Sequence, residues 1–252
     1  MKRSLGIIIL VIASLSAYSQ ESKDEIDFRR EAPQTVNQRK SGYQFEVKYR
    51  IAADYIQQWE HSDNKTYPNT YFHGGRIGVE VDFMLPYNLS VHSGLKYALT
   101  YGHTNQHFGL ADTANSGEQY LNHRILKHTL TIPAQISYEQ HLWRKLSMFF
   151  FAGPEFSIGL SQHDKITANM ADATLNWLKT QNIQTDSYDK YSAKELYRFN
   201  LLFDLGGGFQ WDKYRLQAGY NFGLLPLVNN SVASTKRQMT DWNWFVGFSY
   251  LF

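Results

Sequence analysis

His103 and His107 stand four residues apart with Asp112 close behind, the donor types that hold a divalent metal. A metal site also needs its ligands to converge and to be oriented by neighbours, and this spacing in a loop supplies neither. No metal or other cofactor is expected. His92-Ser93 is the other chemical pairing, a base beside a nucleophile. Adjacent residues of a strand point to opposite faces, so these two side chains cannot meet. None of the nine histidines is followed two residues later by Ser. Asp112-Thr113-Ala114 has the form of an acceptor for O-linked sugar, on a three-residue match. The remaining chemistry is ionic. Glu46, Lys48, Arg50, Arg76, Glu80, Asp82, Lys96, Lys127, Glu155, Arg198, Asp204 and Arg215 all fall inside strand-like stretches, and Asp54 and Glu139 bring the count to seven of each sign.

The elements that position these ions are strands. From Tyr43 to Tyr55 every odd residue is apolar or aromatic, while Gln44, Glu46, Lys48, Arg50 and Asp54 lie between them. Period two puts the two sets on opposite faces, whereas a helix would mix them. Seven more stretches repeat the pattern, at about 71–85, 88–101, 122–139, 146–161, 196–211, 214–225 and 242–252. Phe149 and Phe151 interrupt the polar face of the fifth. Tight turns are predicted at Pro86-Tyr87-Asn88, at 140–145 and at Asp212-Lys213; long loops at 56–70, 102–121, 162–195 and 226–241. Ala171, Leu175 and Leu178 recur at helical spacing within the third loop. Trp59, Phe108, Trp177 and Tyr191 are read as loop aromatics.

Which face looks inward decides the class. A secreted lipocalin-like barrel hides its apolar face; a membrane barrel shows it to lipid and keeps polar groups inside. Four features favour lipid outside. The ions sit in mid-strand with both signs present, so that each has a partner to offset the cost of burial. Glycines share the polar face and leave room in a narrow lumen. Tyr43, Tyr55, Tyr101, Tyr138, Trp211, Tyr214, Trp242 and Tyr250 crowd the strand ends of the apolar face, as an interfacial girdle does. The final strand ends at Phe252 and must itself close the sheet, because open edges are not tolerated in lipid. The expected fold is all-β, an eight-stranded antiparallel up-and-down transmembrane barrel of the smallest size class. Such a lumen is only wide enough for its own side chains, which favours a salt-bridged plug over a channel.

Composition agrees. Aromatic residues make up 15% of the chain, the net charge is +2 and there is no Cys. So small a charge gives no reason to expect nucleic acid. The absence of Cys excludes disulfides and a lipid-modified N-terminus. Lys2 and Arg3, the apolar run Gly6 to Leu15 and Ala17-Tyr18-Ser19 read as a signal peptide over 1–19. Residues 20–41 are charged and patternless, a flexible periplasmic leader. The barrel domain is expected over 42–252.

Four short motifs carry a resemblance. Leu130-Thr131-Ile132-Pro133-Ala134-Gln135-Ile136, Ala152-Gly153-Pro154-Glu155, Asp204-Leu205-Gly206-Gly207-Gly208 and Tyr220-Asn221-Phe222-Gly223-Leu224 resemble, in order and spacing, strands of the PorT-like outer-membrane β-barrel domain family of Bacteroidota. Tyr250 and Phe252 resemble the terminal assembly signal of outer-membrane proteins. The resemblance implies an eight-stranded barrel in the outer membrane and little about activity. It implies contact with outer-membrane lipid and lipopolysaccharide, with the barrel-assembly machinery during biogenesis, and with other envelope proteins. Related barrel enzymes that deacylate lipid A use a His-x-Ser arrangement that this chain lacks. The expectation is a non-enzymatic barrel with a structural or interaction role, the alternatives being a component of a protein secretion system or a small-solute pore.

Overall fold

The computed structural model describes residues 46–62, 69–107, 119–181, 183–229 and 239–252. The signal and leader stretches, Tyr43, Phe108 and Asp112-Thr113-Ala114 lie outside the described residues. The described residues form β1 (Val47–Ser62), β2 (Thr70–Met84), β3 (Leu89–His107), β4 (Tyr120–Trp143), β5 (Leu146–Asn169), α1 (Asp172–Thr180), β6 (Tyr188–Asp189), β7 (Phe199–Trp211), β8 (Tyr214–Gly223) and β9 (Met239–Leu251). Every pairing is antiparallel, and β1-β2-β3-β4-β5-β7-β8-β9 closes on itself in a ring of eight. The two-residue β6 adds to the outer end of β5. No helix among the described residues is long and apolar enough to cross a membrane, so the ring is what the fold offers a bilayer.

The faces are those of a barrel turned outward. Ile51, Val79, Leu95, Phe156, Leu205 and Phe248 point away from the axis and are exposed, while Arg50, Arg76, Glu80 and Lys96 point inward and are buried. Pairs between β1 and β9 close the ring, from Arg50 opposite Leu251 to Ser62 opposite Met239. Phe252 continues this seam, its N–H donating to the Tyr49 carbonyl at 3.1 Å and its ring meeting Tyr250 edge-on at 5.6 Å.

Most strands run further toward the long-loop end than the sequence pattern indicates, although β7 starts only at Phe199 and β8 ends at Gly223. β1 reaches Ser62, and β4 and β5 extend over 24 residues each. Trp59 is thus a strand residue, its ring 5.6 Å from that of Tyr220 on the outer wall. Beyond the bilayer nothing demands an apolar face, so these ends lose the alternation while keeping the hydrogen-bond ladder. The helical spacing at 171–178 corresponds to α1, with Leu178 buried and Trp177 exposed.

One turn stores strain. Tyr87 and Asn88 both have positive φ, 61° and 60°, and Leu89 N–H closes the turn on the Pro86 carbonyl at 3.3 Å. Two left-handed central residues match the right-handed twist of a hairpin, a role that suits Asn and Gly better than Tyr. Tyr87→Gly is expected to stabilise the barrel by about 0.5–1 kcal/mol. The check is the urea midpoint for unfolding, and an unchanged or lower midpoint counts against this account.

Candidate functional site

The lumen is the candidate site, and it is built from alternate residues of all eight ring strands. Near the short-turn end, Arg50 on β1 pairs with Asp82 on β2. Arg215 on β8 lies 3.8 Å from the same carboxylate and donates to the Gln210 side chain at 3.0 Å. His92 on β3 joins this group, its Nδ1 2.7 Å from Asp82 and its Nε2 3.5 Å from Glu80.

The middle of the lumen holds a branched cluster. Arg76 donates to Asp54 at 2.8 Å and to Glu155, across the barrel, at 3.0 Å. Lys96 bridges Asp54 at 3.3 Å and Glu80. Asn221 donates to Glu155 at 3.3 Å, and Gln135 to Asp204 at 2.5 Å. Beside these ions stand three rings, Phe149, Phe151 and Phe245, stacked in sequence at 6.3 and 6.2 Å. The two phenylalanines that interrupt the polar pattern of β5 therefore face the lumen. Arg215 lies 4.1 Å over Phe149 and Arg76 4.8 Å over Phe245, so each buried cation is attracted to the face of a ring. Glycine makes room: a Cβ on Gly219 would come within 2.7 Å of the Phe245 ring.

At the long-loop end, Lys127 donates to Glu60 at 3.0 Å and lies 3.4 Å from Asp241, which also accepts from Gln58 at 2.6 Å. Above this group Tyr191, Leu196, Leu227, Val228 and Met239 pack into an apolar cap. Burial pushes the Tyr191 hydroxyl up to about 12. Asp189 anchors the cap segment to β5, accepting from Gln162 N–H at 2.9 Å and Ser192 N–H at 2.7 Å. Partial burial works against its carboxylate, but these two backbone donors outweigh it and hold the group below the usual range.

Most of the predicted ions come together here: Arg50, Arg76, Glu80, Asp82, Lys96, Lys127, Glu155, Asp204 and Arg215 are all buried. Three of the set are not in the lumen. Glu46 precedes β1 and is exposed, and Lys48 pairs with it at 3.8 Å at the mouth, where the wall ends. Arg198 lies outside, although its even position shares the inward phase of Asn200 and Asp204. The Tyr191 ring fills the space over Gly159, and the Arg198 guanidinium lies against that ring at 5.3 Å while donating to the Leu160 carbonyl at 2.7 Å.

Other members escape the sequence pattern. Glu60, Asp164 and Asp241 occupy strand ends that read as loops, and all three are buried. Their presence breaks the expected balance: the buried set among the described residues has five cations (Arg50, Arg76, Lys96, Lys127, Arg215) against eight carboxylates (Asp54, Glu60, Glu80, Asp82, Glu155, Asp164, Asp204, Asp241), with His92 beside them. The bonding is in clusters rather than pairs. The inward phase of the β5 end depends on a bulge. Thr129 pairs with Gly159 and His128 with Ser161, so Leu160 is the extra residue, and beyond it the even positions Gln162 and Asp164 face in. His103, a candidate metal ligand, is exposed and 2.9 Å from the Asn122 amide. Among the described residues no group of three His, Asp or Glu could hold a metal.

The four quoted motifs meet at one level of the lumen. Gly153 pairs with Asp204, and a Cβ on Gly153 would come within 2.7 Å of the Gln135 Cα. Gln135 and Asp204 are bonded, and Asn221 reaches Glu155.

No curated protein matches this chain. Among solved structures it is similar to Ail, the attachment invasion locus protein of Yersinia pestis, at 13% identity and a TM-score of 0.41, covering 82% of this chain and 99% of Ail. It is similar to neisserial surface protein A at 9% identity and a TM-score of 0.35, covering 82% and 99%. The N-terminal β-barrel domain of Pseudomonas aeruginosa OprF matches at 11% and 0.26, covering 82% and 100%. The sequence profile of the outer membrane protein beta-barrel domain matches residues 27–229. With an inverted eight-stranded ring and a family match over most of its length, this chain belongs to the outer membrane protein beta-barrel domain family and is an outer-membrane barrel protein.

Proposed function

We propose that this barrel is a closed, non-catalytic envelope protein of the PorT-like kind, with a structural or interaction role presented by its outer end. One observation carries the reading: buried side chains fill the lumen from Arg50 and Asp82 at one end, through Arg76 and Phe245, to Lys127 and Tyr191 at the other. Each is held by neighbours from different strands, so a solute would have to break several charged contacts at once. The convergence of the four motifs on Gln135, Gly153, Asp204 and Glu155 supports the finer family resemblance. On this reading the chain is exported by a cleaved signal over 1–19, inserted by the barrel-assembly machinery, and meets lipopolysaccharide and other envelope proteins in the outer membrane of a Gram-negative cell.

The test is conductance. The purified barrel in a planar bilayer is expected to give current at background level. Discrete openings well above background would overturn the plug and favour a small-solute pore.

A further inference from the structure

The outer wall carries a stripe of bases that pair with no acid among the described residues. On β3 the exposed apolar run ends at Tyr101 and is followed by His103; on β4 it ends at Leu126, next to Arg124; on β5 it ends at Leu160, followed by His163 and Lys165. The switch from apolar to basic thus falls at one level on β3 and β4 and one register step earlier on β5, where His163 stands opposite Leu126. Register makes this sharper, since Arg124 stands directly opposite both His103 and Lys165. Like charges facing each other across a strand pair are unfavourable. Neither Arg124 nor Lys165 has an ion-pair partner among the described residues. The outward neighbours two positions along are Tyr101, Asn105, Asn122, Leu126 and Thr167, none of them acidic. Asp164 points inward, where His123 and Lys190 hold it, and the Asp189 carboxylate beside His163 is engaged by two backbone N–H groups.

The stripe also stands at a definite height. Along β3 the stretch from Leu89 to Tyr101, at about 3.3 Å per residue and a tilt of about 40°, spans about 30 Å, enough to cover the roughly 25 Å apolar band of an outer-membrane barrel and reach its interface. His103, Arg124 and Lys165 therefore sit where lipid headgroups begin, at the end that carries the long loops.

We propose that His103, Arg124 and Lys165 form a binding site for the phosphate of an outer-leaflet glycolipid of the lipid A type. The guanidinium supplies a fork of donors that matches phosphate oxygens, and Lys165 adds a point charge beside it. The acyl chains then lie along Tyr101, Leu126 and Leu160. The proposal rests on the membrane reading and narrows it to one place and one headgroup chemistry.

The experiment uses the full chain, folded in detergent and reconstituted into neutral phosphatidylcholine nanodiscs with either lipid A or dephosphorylated lipid A. Lipid retained on the barrel is counted by native mass spectrometry. Wild type is expected to retain about 25-fold more of the phosphorylated form, and Arg124→Gln with Lys165→Gln to abolish that preference, since each of the two bases near an anionic surface is worth about fivefold in binding. The charge-keeping pair Arg124→Lys with Lys165→Arg is expected to preserve at least part of the preference. Equal retention of both lipids by wild type, or an unchanged preference in the Gln variant, overturns the proposal. So does displacement of lipid A by an equal concentration of inorganic phosphate, which would make this a free-phosphate site. Each variant is first checked for the gel-mobility shift on boiling that marks a folded barrel. Failure of wild type to shift would sink the barrel reading, whereas a folded barrel without lipid preference sinks only this site.

Discussion

Arg76→Ala is expected to cost about 3–5 kcal/mol, one of the largest effects of any single substitution in the lumen. Arg76 is 3% exposed and joins Asp54 on its own side of the barrel to Glu155 on the other. Without it Asp54 still has Lys96 at 3.3 Å, but Glu155 keeps the Asn221 amide and no cation among the described residues. A buried carboxylate left so poorly matched is what makes the loss large, more than the attraction removed. The Phe245 ring beneath the guanidinium loses its cover as well. Two further variants separate these causes. Arg76→Met with Glu155→Gln removes both charges together and is expected to recover most of the loss. Arg76→Lys keeps a charge but not the fork that reaches two carboxylates, and is expected to fall between. The measurement is reversible urea unfolding in lipid vesicles followed by tryptophan fluorescence. A loss below 1 kcal/mol for Arg76→Ala would mean that water already solvates this cluster.

The residue next to it tests the opposite face. Ile77 is 64% exposed at the middle of β2, a position where a soluble protein would accept nearly any polar side chain within about 0.5 kcal/mol. Facing lipid at the bilayer midplane, Ile77→Arg is expected to cost about 2–4 kcal/mol. Ile77→Leu should be close to neutral. The same charge placed near the boundary, at His73, is expected to cost at most about 1 kcal/mol, because an interfacial arginine reaches headgroups. The check is again unfolding in vesicles, with the depth dependence as the decisive feature. An Ile77→Arg cost under 0.5 kcal/mol would contradict a lipid-facing wall, whatever the lumen contains.

How much of this was legible beforehand depends on the range of the interaction. The alternation that puts Arg50 on one face and Ile51 on the other is local, because a pleat reverses every residue whatever its surroundings. Mid-strand ions of both signs then orient the faces, since no packed core would accept so many. The short turns are local too, and they set which strands pair as hairpins.

Partnership was not legible. Arg76 meets Glu155 across 79 positions of sequence, and only ring closure brings β2 opposite β5. Glu60 and Asp241 were hidden because lipid enforces an apolar face only within its own thickness; above it the ladder persists without a sequence signature. Arg198 kept the inward phase yet lies outside, because Tyr191 from a distant segment takes the space over Gly159 first. The Leu160 bulge turns the end of β5 so that Gln162 and Asp164 face inward, a one-residue change of phase that the strand pattern alone does not register. The sequence by itself determined that there would be a wall and which side of it would be greasy, because those follow from neighbours along the chain. The tertiary structure alone decided which charge rests on which, because that follows from strands that meet only when the sheet closes.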